Sequence, residues 1–310
     1  MKARIYKSTG TWYNAKGEDG HFYQCRIKGK LKLDREITST NPIAVGDIVV
    51  LEKEIGTAYS AMICAIEKRN NYLIRSSPHN KRQKHIVAAN LDQSVLLATI
   101  KDPRTSTGFI DRFLVSSEAY HIPAVLVFNK ADLYDAEDLQ YIDFLKEIYT
   151  ACGYPVYLIA AEKEQGLDIF KTLLKDKISL LSGHSGVGKS TLLNRLLPHV
   201  EAATQDVSDW SGKGMHTTTF AEMYDLPEGG SLIDTPGIRE LGIFQMQRAE
   251  LSGYFPEMKA LAGQCKYNNC SHFNEPQCAV KEAVRSGKIS EERYVNYANI
   301  YDSINDKHYE

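Results

Sequence analysis

Gly183-His184-Ser185-Gly186-Val187-Gly188-Lys189-Ser190 fits the pattern G-x-x-x-x-G-K-[ST]. An apolar run, Ile178 to Ser182, precedes it and predicts a strand. The segment Lys189 to Leu197 follows and predicts a helix. This strand–loop–helix context gives the pattern its meaning: glycines let backbone N–H groups wrap phosphates with no Cβ in the way. The helix N-terminus adds partial positive charge. Lys189 is expected to reach the β- and γ-phosphates, and the Ser190 hydroxyl to ligate Mg²⁺. Gly183, Ser185, Gly186, Val187, Gly188 and Thr191 complete the expected phosphate cradle. His184 occupies a free position and receives no role.

Two further motifs choose the base. Asp234-Thr235-Pro236-Gly237 ends a predicted strand. Asp234 sits where a carboxylate would hold Mg²⁺ through water, and the Gly237 N–H can face the γ-phosphate. Asn129-Lys130-Ala131-Asp132 follows the strand Val125 to Phe128 and resembles the guanine-specificity motif of GTPases. A carboxylate at Asp132 can accept from guanine N1–H and the exocyclic amino group together. Adenine lacks that donor pair and would leave the carboxylate unpaired. Asn129 is expected to fix the loop, and the Lys130 stem to cover the ring. A third loop, Ala160-Ala161-Glu162, stands where such sites usually carry Ser-Ala, so only its backbone N–H groups remain to meet the guanine oxygen. The expected ligands are therefore GTP and GDP.

The order of these motifs is unusual. The guanine motif (129–132) precedes the phosphate loop (183–190), and Asp-Thr-Pro-Gly (234–237) comes last. Cutting a compact fold at a loop and joining its old termini is tolerable when those termini lie close together. The order thus implies a circularly permuted GTPase domain. From about residue 85, apolar strands alternate with amphipathic helices: strands at 94–100, 124–128, 156–160, 178–182 and 231–234, helices at 108–119, 136–152, 167–174 and 189–197. That alternation implies a mainly parallel sheet covered on both faces. Residues 1 to about 70 read instead as short alternating strands between turn signals, which suits a five-stranded OB-type barrel. An SH3-like barrel fits almost as well. From about 245 the pattern is helical. The expected domains are an all-β barrel (1–72), a permuted α/β P-loop GTPase domain (73–244) and a mainly helical zinc-binding domain (245–310).

The last domain carries Cys265-x4-Cys270-x-His272-x5-Cys278. Three thiolates and one imidazole suit a closed tetrahedral Zn²⁺ site of structural type. The chain of 310 residues has a formal net charge of -2, so overall charge names no partner. Locally, residues 1 to 35 hold nine Lys/Arg against three acids, and residues 68 to 85 hold six more with no acid. Such clusters can track a phosphate backbone. Tyr6, Trp12, Tyr13, Phe22 and Tyr23 lie among them. No run of ~18 apolar residues predicts a membrane span. The N-terminus lacks a signal-peptide core, so a cytoplasmic location is expected, with the cysteines as thiols or metal ligands.

Together these stretches resemble the circularly permuted, ribosome-small-subunit-dependent GTPases (the RsgA/YjeQ family). Ala89-Asn90-Leu91-Asp92-Gln93, Ile110-Asp111-Arg112-Phe113-Leu114, Gly214-Met215-His216-Thr217-Thr218-Thr219 and the cysteine cluster carry the likeness. The family usually shows Arg where Met215 stands. The resemblance implies a late-stage maturation factor of the small (30S) subunit that hydrolyses GTP on the subunit to time its own release. It implies contact with 16S rRNA and no membrane or DNA partner; a monomer is expected. One of Thr217, Thr218 and Thr219 is expected to ligate Mg²⁺ when GTP is bound, with Thr218 as the candidate. Ile238 cannot orient water as a Gln would, so His216 is the expected water-positioning residue. A GTP-dependent signalling switch acting through a protein partner, with the barrel as adaptor, remains the alternative. Because the second switch leads directly into the zinc domain, GTP is expected to set that domain's position relative to the barrel.

Overall fold

Alternate burial along short strands builds the first domain. The computed structural model describes residues 1–29, 41–54, 56–76, 84–197, 221–235 and 246–304. β1 (Lys2–Ser8), β2 (Tyr13–Gly17), β3 (Phe22–Ile27), β4 (Ile48–Lys53) and β5 (Ser60–Ile66) pair in the order 1-2-3-5-4, and β1 closes onto β4. β3 and β5 are parallel while the other barrel pairs are antiparallel. That closed Greek-key order is the OB barrel and settles the choice left open by the sequence. Ile5, Tyr13, Ala15, Tyr23, Cys25, Val49, Leu51 and Ile63 fill its interior.

A hairpin, β6 (Tyr72–Ser76) and β7 (Lys84–Ala89), joins the barrel to the next domain. The junction is tight at Gly46, with φ +89°, where a Cβ would lie 2.1 Å from the Ala89 carbonyl oxygen. Only glycine fits there. Beside it Arg69 grips the buried Asp47 carboxylate through Nε and Nη2, both at 2.6 Å. With one partner removed, the other would remain as a costly buried charge.

The second domain alternates β8 (Gln93–Ala98), α1 (Thr107–Ala119), β9 (Ala124–Phe128), α2 (Ala136–Ala151), β10 (Val156–Leu158), α3 (Leu167–Leu174), β11 (Ile178–Ser182) and α4 (Lys189–Leu196). It ends with β12 (Glu222–Asp225) and β13 (Ser231–Asp234). The strand order is β10-β9-β8-β11-β13-β12, parallel except for β12. Strands buried on both faces, such as β8 and β9, are continuously apolar for that reason. One core lies on the α1/α2 side, with Phe113, Leu126 and Ile142. The other lies on the α3/α4 side, with Val127, Phe170 and Leu192. β12 escaped the sequence reading because only Met223 of its four residues is buried. It also extends the sheet into the barrel: β1 pairs with β12 at Lys7 and Glu222.

The third domain holds α5 (Pro256–Lys259), α6 (Ala279–Arg285) and α7 (Glu291–Ser303). Among the described residues it has no strand, as expected. It packs on α1 through Val115 beside Leu251, Phe255, Tyr297 and Ile300. At that seam Arg293, 1% exposed, meets Asp111 at 2.5 Å and holds Glu257 at 2.8 and 3.0 Å. Asn296 donates to the other Asp111 oxygen at 2.7 Å.

Candidate nucleotide site and metal centre

The chain proceeds outward from β8 through β9 to β10, then returns to β11 on the other side of β8. Ligands of open α/β sheets bind at such a reversal, outside the carboxyl ends of the strands. The loop 183–188 lies there, leaving β11 and opening α4. Its glycines are forced by close approach. A Cβ on Gly183 would sit 2.3 Å from the Leu97 carbonyl oxygen, and one on Gly188 2.4 Å from the Asn129 amide nitrogen. Val187 is buried beneath the loop, whereas Ser185 and Gly186 face outward and Ser190 is exposed at the start of α4. Thr191 is half-buried behind it. Lys189 folds back so that its ammonium donates to the Gly183 and His184 carbonyls at 2.6 and 2.7 Å. Burial holds its pKa below the ordinary lysine value.

Asn129 joins three loops. Its amide donates to the Val187 carbonyl at 2.9 Å, and its oxygen accepts the Ala161 N–H at 2.9 Å. The guanine motif, the phosphate loop and the Ala160-Ala161 loop are thereby brought to one place, and the missing serine hydroxyl leaves that backbone contact intact. Lys130 takes a left-handed backbone, φ 68°, and its ammonium donates to the Asp102 carbonyl. Asp132 is exposed in the turn Ala131–Leu133, free to face a base. Asp234 ends β13 beside this cradle. Burial pushes its carboxyl up, Lys189 pulls it down, and its Oδ1 is buried with no hydrogen-bond partner. An orphaned carboxylate oxygen there is chemically suited to a hydrated Mg²⁺, which would neutralise charge on bound phosphates. His216, Thr218 and Gly237 lie outside the described residues.

The sequence reading missed a wall of this site. The loop between β8 and α1 carries Pro103 against Gly186. Phe109 of α1 lies against the His184 ring, with centroids 3.8 Å apart. His184, given no role above, thus ties the phosphate loop to α1. Nothing in its spacing could have shown this, because the partner lies on another strand–helix unit.

The cysteine cluster has the geometry of a metal centre. The ligand atoms of Cys265, Cys270, His272 and Cys278 all lie within 4.8 Å of one another. Cys265 Sγ is 3.9 Å from Cys278 Sγ and 3.7 Å from His272 Nδ1, which is 3.4 Å from Cys278 Sγ. A tetrahedron with bonds of ~2.0–2.3 Å has edges of roughly 3.3–3.8 Å, so the donor set fits Zn²⁺. Burial, and the neighbouring Cys278 and Cys265, push the Cys270 thiol up to about 12. A cation is what would hold such crowded sulfurs as thiolates. The cluster is braced from α7, where Tyr297 and Tyr294 donate to the Ser271 and His272 carbonyls at 3.0 and 2.7 Å.

Comparison with known proteins agrees with this arrangement. The family model described as RsgA GTPase matches residues 66–244, and that of the RsgA N-terminal domain matches residues 2–59. The chain belongs to the RsgA GTPase family. It is a GTP-hydrolysing enzyme, and the family's chemistry implies GTP, GDP and Mg²⁺. A family relative from Cytophaga hutchinsonii, "Small ribosomal subunit biogenesis GTPase RsgA", is 54% identical over 97% of both chains. One from Bacteroides thetaiotaomicron, "Small ribosomal subunit biogenesis GTPase RsgA 2", is 50% identical over 97% of this chain and 96% of its own. Among solved structures, YjeQ from Thermotoga maritima has a TM-score of 0.78 at 35% identity, covering 97% of each chain. YloQ, a circularly permuted GTPase, has a TM-score of 0.74 at 31% identity, covering 97% of this chain and 93% of its own.

Proposed function

We propose that this RsgA-family enzyme acts in the maturation of the small ribosomal subunit, binding its 16S rRNA and hydrolysing GTP on the subunit to time its own release. The observation that carries this reading is the near-full-length identity to relatives named as small-subunit biogenesis GTPases. The barrel surface is consistent with it. Phe22 and Trp12, 51% and 39% exposed, stand beside Lys16 and Arg26, whose cationic groups lie 5.7 and 4.8 Å from the respective ring centroids. Exposed rings beside cations suit stacked bases and a phosphate backbone.

In this reading the guanine base is taken by Asn129, Lys130 and Asp132, and the phosphates by Gly183 and residues 185 to 191. Mg²⁺ is held by Ser190, Thr218 and Asp234, with Gly237 facing the γ-phosphate. His216 positions the water. The domains divide at 1–72, 73–244 and 245–310, and the enzyme works in the cytoplasm. Purified small subunits are expected to raise GTP turnover at least about tenfold, with the effect fading as salt rises. His216→Ala is expected to keep GDP affinity and lose that stimulation. No stimulation by any RNA particle would overturn the ribosomal reading in favour of a protein-directed switch. Full stimulation in His216→Ala would remove the histidine from the reaction.

Zn²⁺ is the proposed occupant of Cys265, Cys270, His272 and Cys278. About one equivalent is expected after chelator-free purification. Chelation is expected to expose amides of α6 and α7 to hydrogen exchange before those of β8 and β11. Retained protection in α6 and α7 after complete metal removal would refute a structural role.

A further inference from the structure

Three strands place a row of charge between the barrel and the magnesium carboxylate. On β1 Lys7 stands opposite Glu222 of β12, and Glu222 stands opposite Asp234 of β13. Directly opposed residues of antiparallel strands share a face, with Cβ atoms ~4.5–5.5 Å apart. Lys7 Nζ reaches Glu222 Oε2 at 2.8 Å, with side-chain exposures of 35% and 27%. Glu222 is therefore a second carboxylate one strand away from Asp234. Among the described residues, the cation that pairs with it, Lys7, comes from the other domain.

We propose that the Lys7–Glu222 pair is a positioning device for the magnesium site: the barrel lysine offsets the Glu222 charge and so sets how tightly the cation beside Asp234 is held. The inference rests on reading Asp234 as the magnesium carboxylate. Other contacts dock β12 on the barrel without entering this row. Tyr6 donates to Asp225 at 2.6 Å, and Lys16 pairs with Asp225 at 2.6 Å, at the opposite end of the strand. They provide a control in which docking is weakened but the charge row is not.

The test uses the full-length protein saturated with a non-hydrolysable GTP analogue, with Mn²⁺ as the probe and binding read by electron paramagnetic resonance. Lys7→Met and Glu222→Gln both break the same pair, so a role in docking alone predicts effects of one sign. The charge row predicts opposite signs. Lys7→Met leaves Glu222 unpaired and is expected to tighten Mn²⁺ about threefold; Glu222→Gln leaves Lys7 unpaired and is expected to weaken it about threefold. Lys7→Arg is expected to match the parent protein, and the double variant Lys7→Met/Glu222→Gln to return close to it. Tyr6→Phe is expected to lower thermal stability and leave Mn²⁺ affinity unchanged.

Changes of the same sign in the two single variants, or no change in either, would overturn the proposal. Asp234→Asn separates the two layers of the argument, because it is expected to weaken Mn²⁺ by more than about tenfold. Undiminished affinity in Asp234→Asn would refute the assignment of Asp234 itself. Strong loss there with silent Lys7 and Glu222 variants would refute only the charge row.

Discussion

Asp132→Asn is expected to weaken GDP and GTP binding by about a thousandfold or more and to create affinity for xanthosine diphosphate. Guanine presents N1–H and an exocyclic amino group side by side, and a carboxylate accepts from both. An amide can accept from only one and turns its own N–H₂ toward the exocyclic amino group, donor against donor. Sites built on such hydrogen bonds lose several powers of ten when one is mismatched. Xanthine carries a carbonyl oxygen at that position, so the same amide meets an acceptor. The loop can transmit so small a change because it is held rigidly: Asn129 bridges Val187 and Ala161, and Tyr134 donates to the Asn129 carbonyl at 2.6 Å. Calorimetry with the two diphosphates reads both effects. A loss of GDP affinity under about tenfold, or no gain for the xanthine nucleotide, would remove Asp132 from base recognition.

Arg293→Met is expected to destabilise the docking of the zinc domain by about 3–5 kcal/mol. The guanidinium is buried between Asp111 and Glu257 and packs over Phe255, with its centre 4.6 Å from the ring centroid. Methionine leaves two carboxylates facing an apolar seam, and Asp111 lies wholly inside it. Removing the second charge as well, in Asp111→Asn/Arg293→Met, is expected to recover part of the loss, because the unpaired buried charge is the larger cost. Hydrogen exchange along α7 measures the opening directly. Protection in Arg293→Met within about 1 kcal/mol of the parent protein would show that the seam is held by apolar packing alone.

This seam bears on the expectation that GTP moves the zinc domain. The sequence links that domain to the second switch at residues 236–245, which lie outside the described residues. The structure adds a second attachment, through α1. The same helix carries Phe109 against His184 of the phosphate loop, Asp111 against Arg293, and Thr107, whose hydroxyl donates to Glu292 of α7 at 2.9 Å. A displacement of the phosphate loop thus has a route to the zinc domain through one rigid element.

Much of the candidate nucleotide site was legible in the linear chain because its chemistry is local. A phosphate loop needs consecutive residues with particular backbone freedom, and Gly183, Gly188 and Lys189 declare it within one turn of chain. The candidate metal donors declare themselves likewise, lying within fourteen residues of sequence. Element boundaries followed hydrophobic periodicity where burial was one-sided or complete, as in α3 and β9. They failed for β12, whose partners rather than its side chains make it a strand.

The amino-acid sequence by itself determined the motif order, hence the permutation, the guanine preference and the metal donor set, since each depends on residue type at short spacing. Only the tertiary structure decided the rest. It chose the OB barrel through the parallel pairing of β3 with β5, continued the nucleotide-binding sheet into that barrel, and set His184 against Phe109 and Arg293 against Asp111. The physical reason is sequence distance. Arg293 and Asp111 are 182 residues apart, and no local pattern records which of many charged side chains will be buried together when the chain closes.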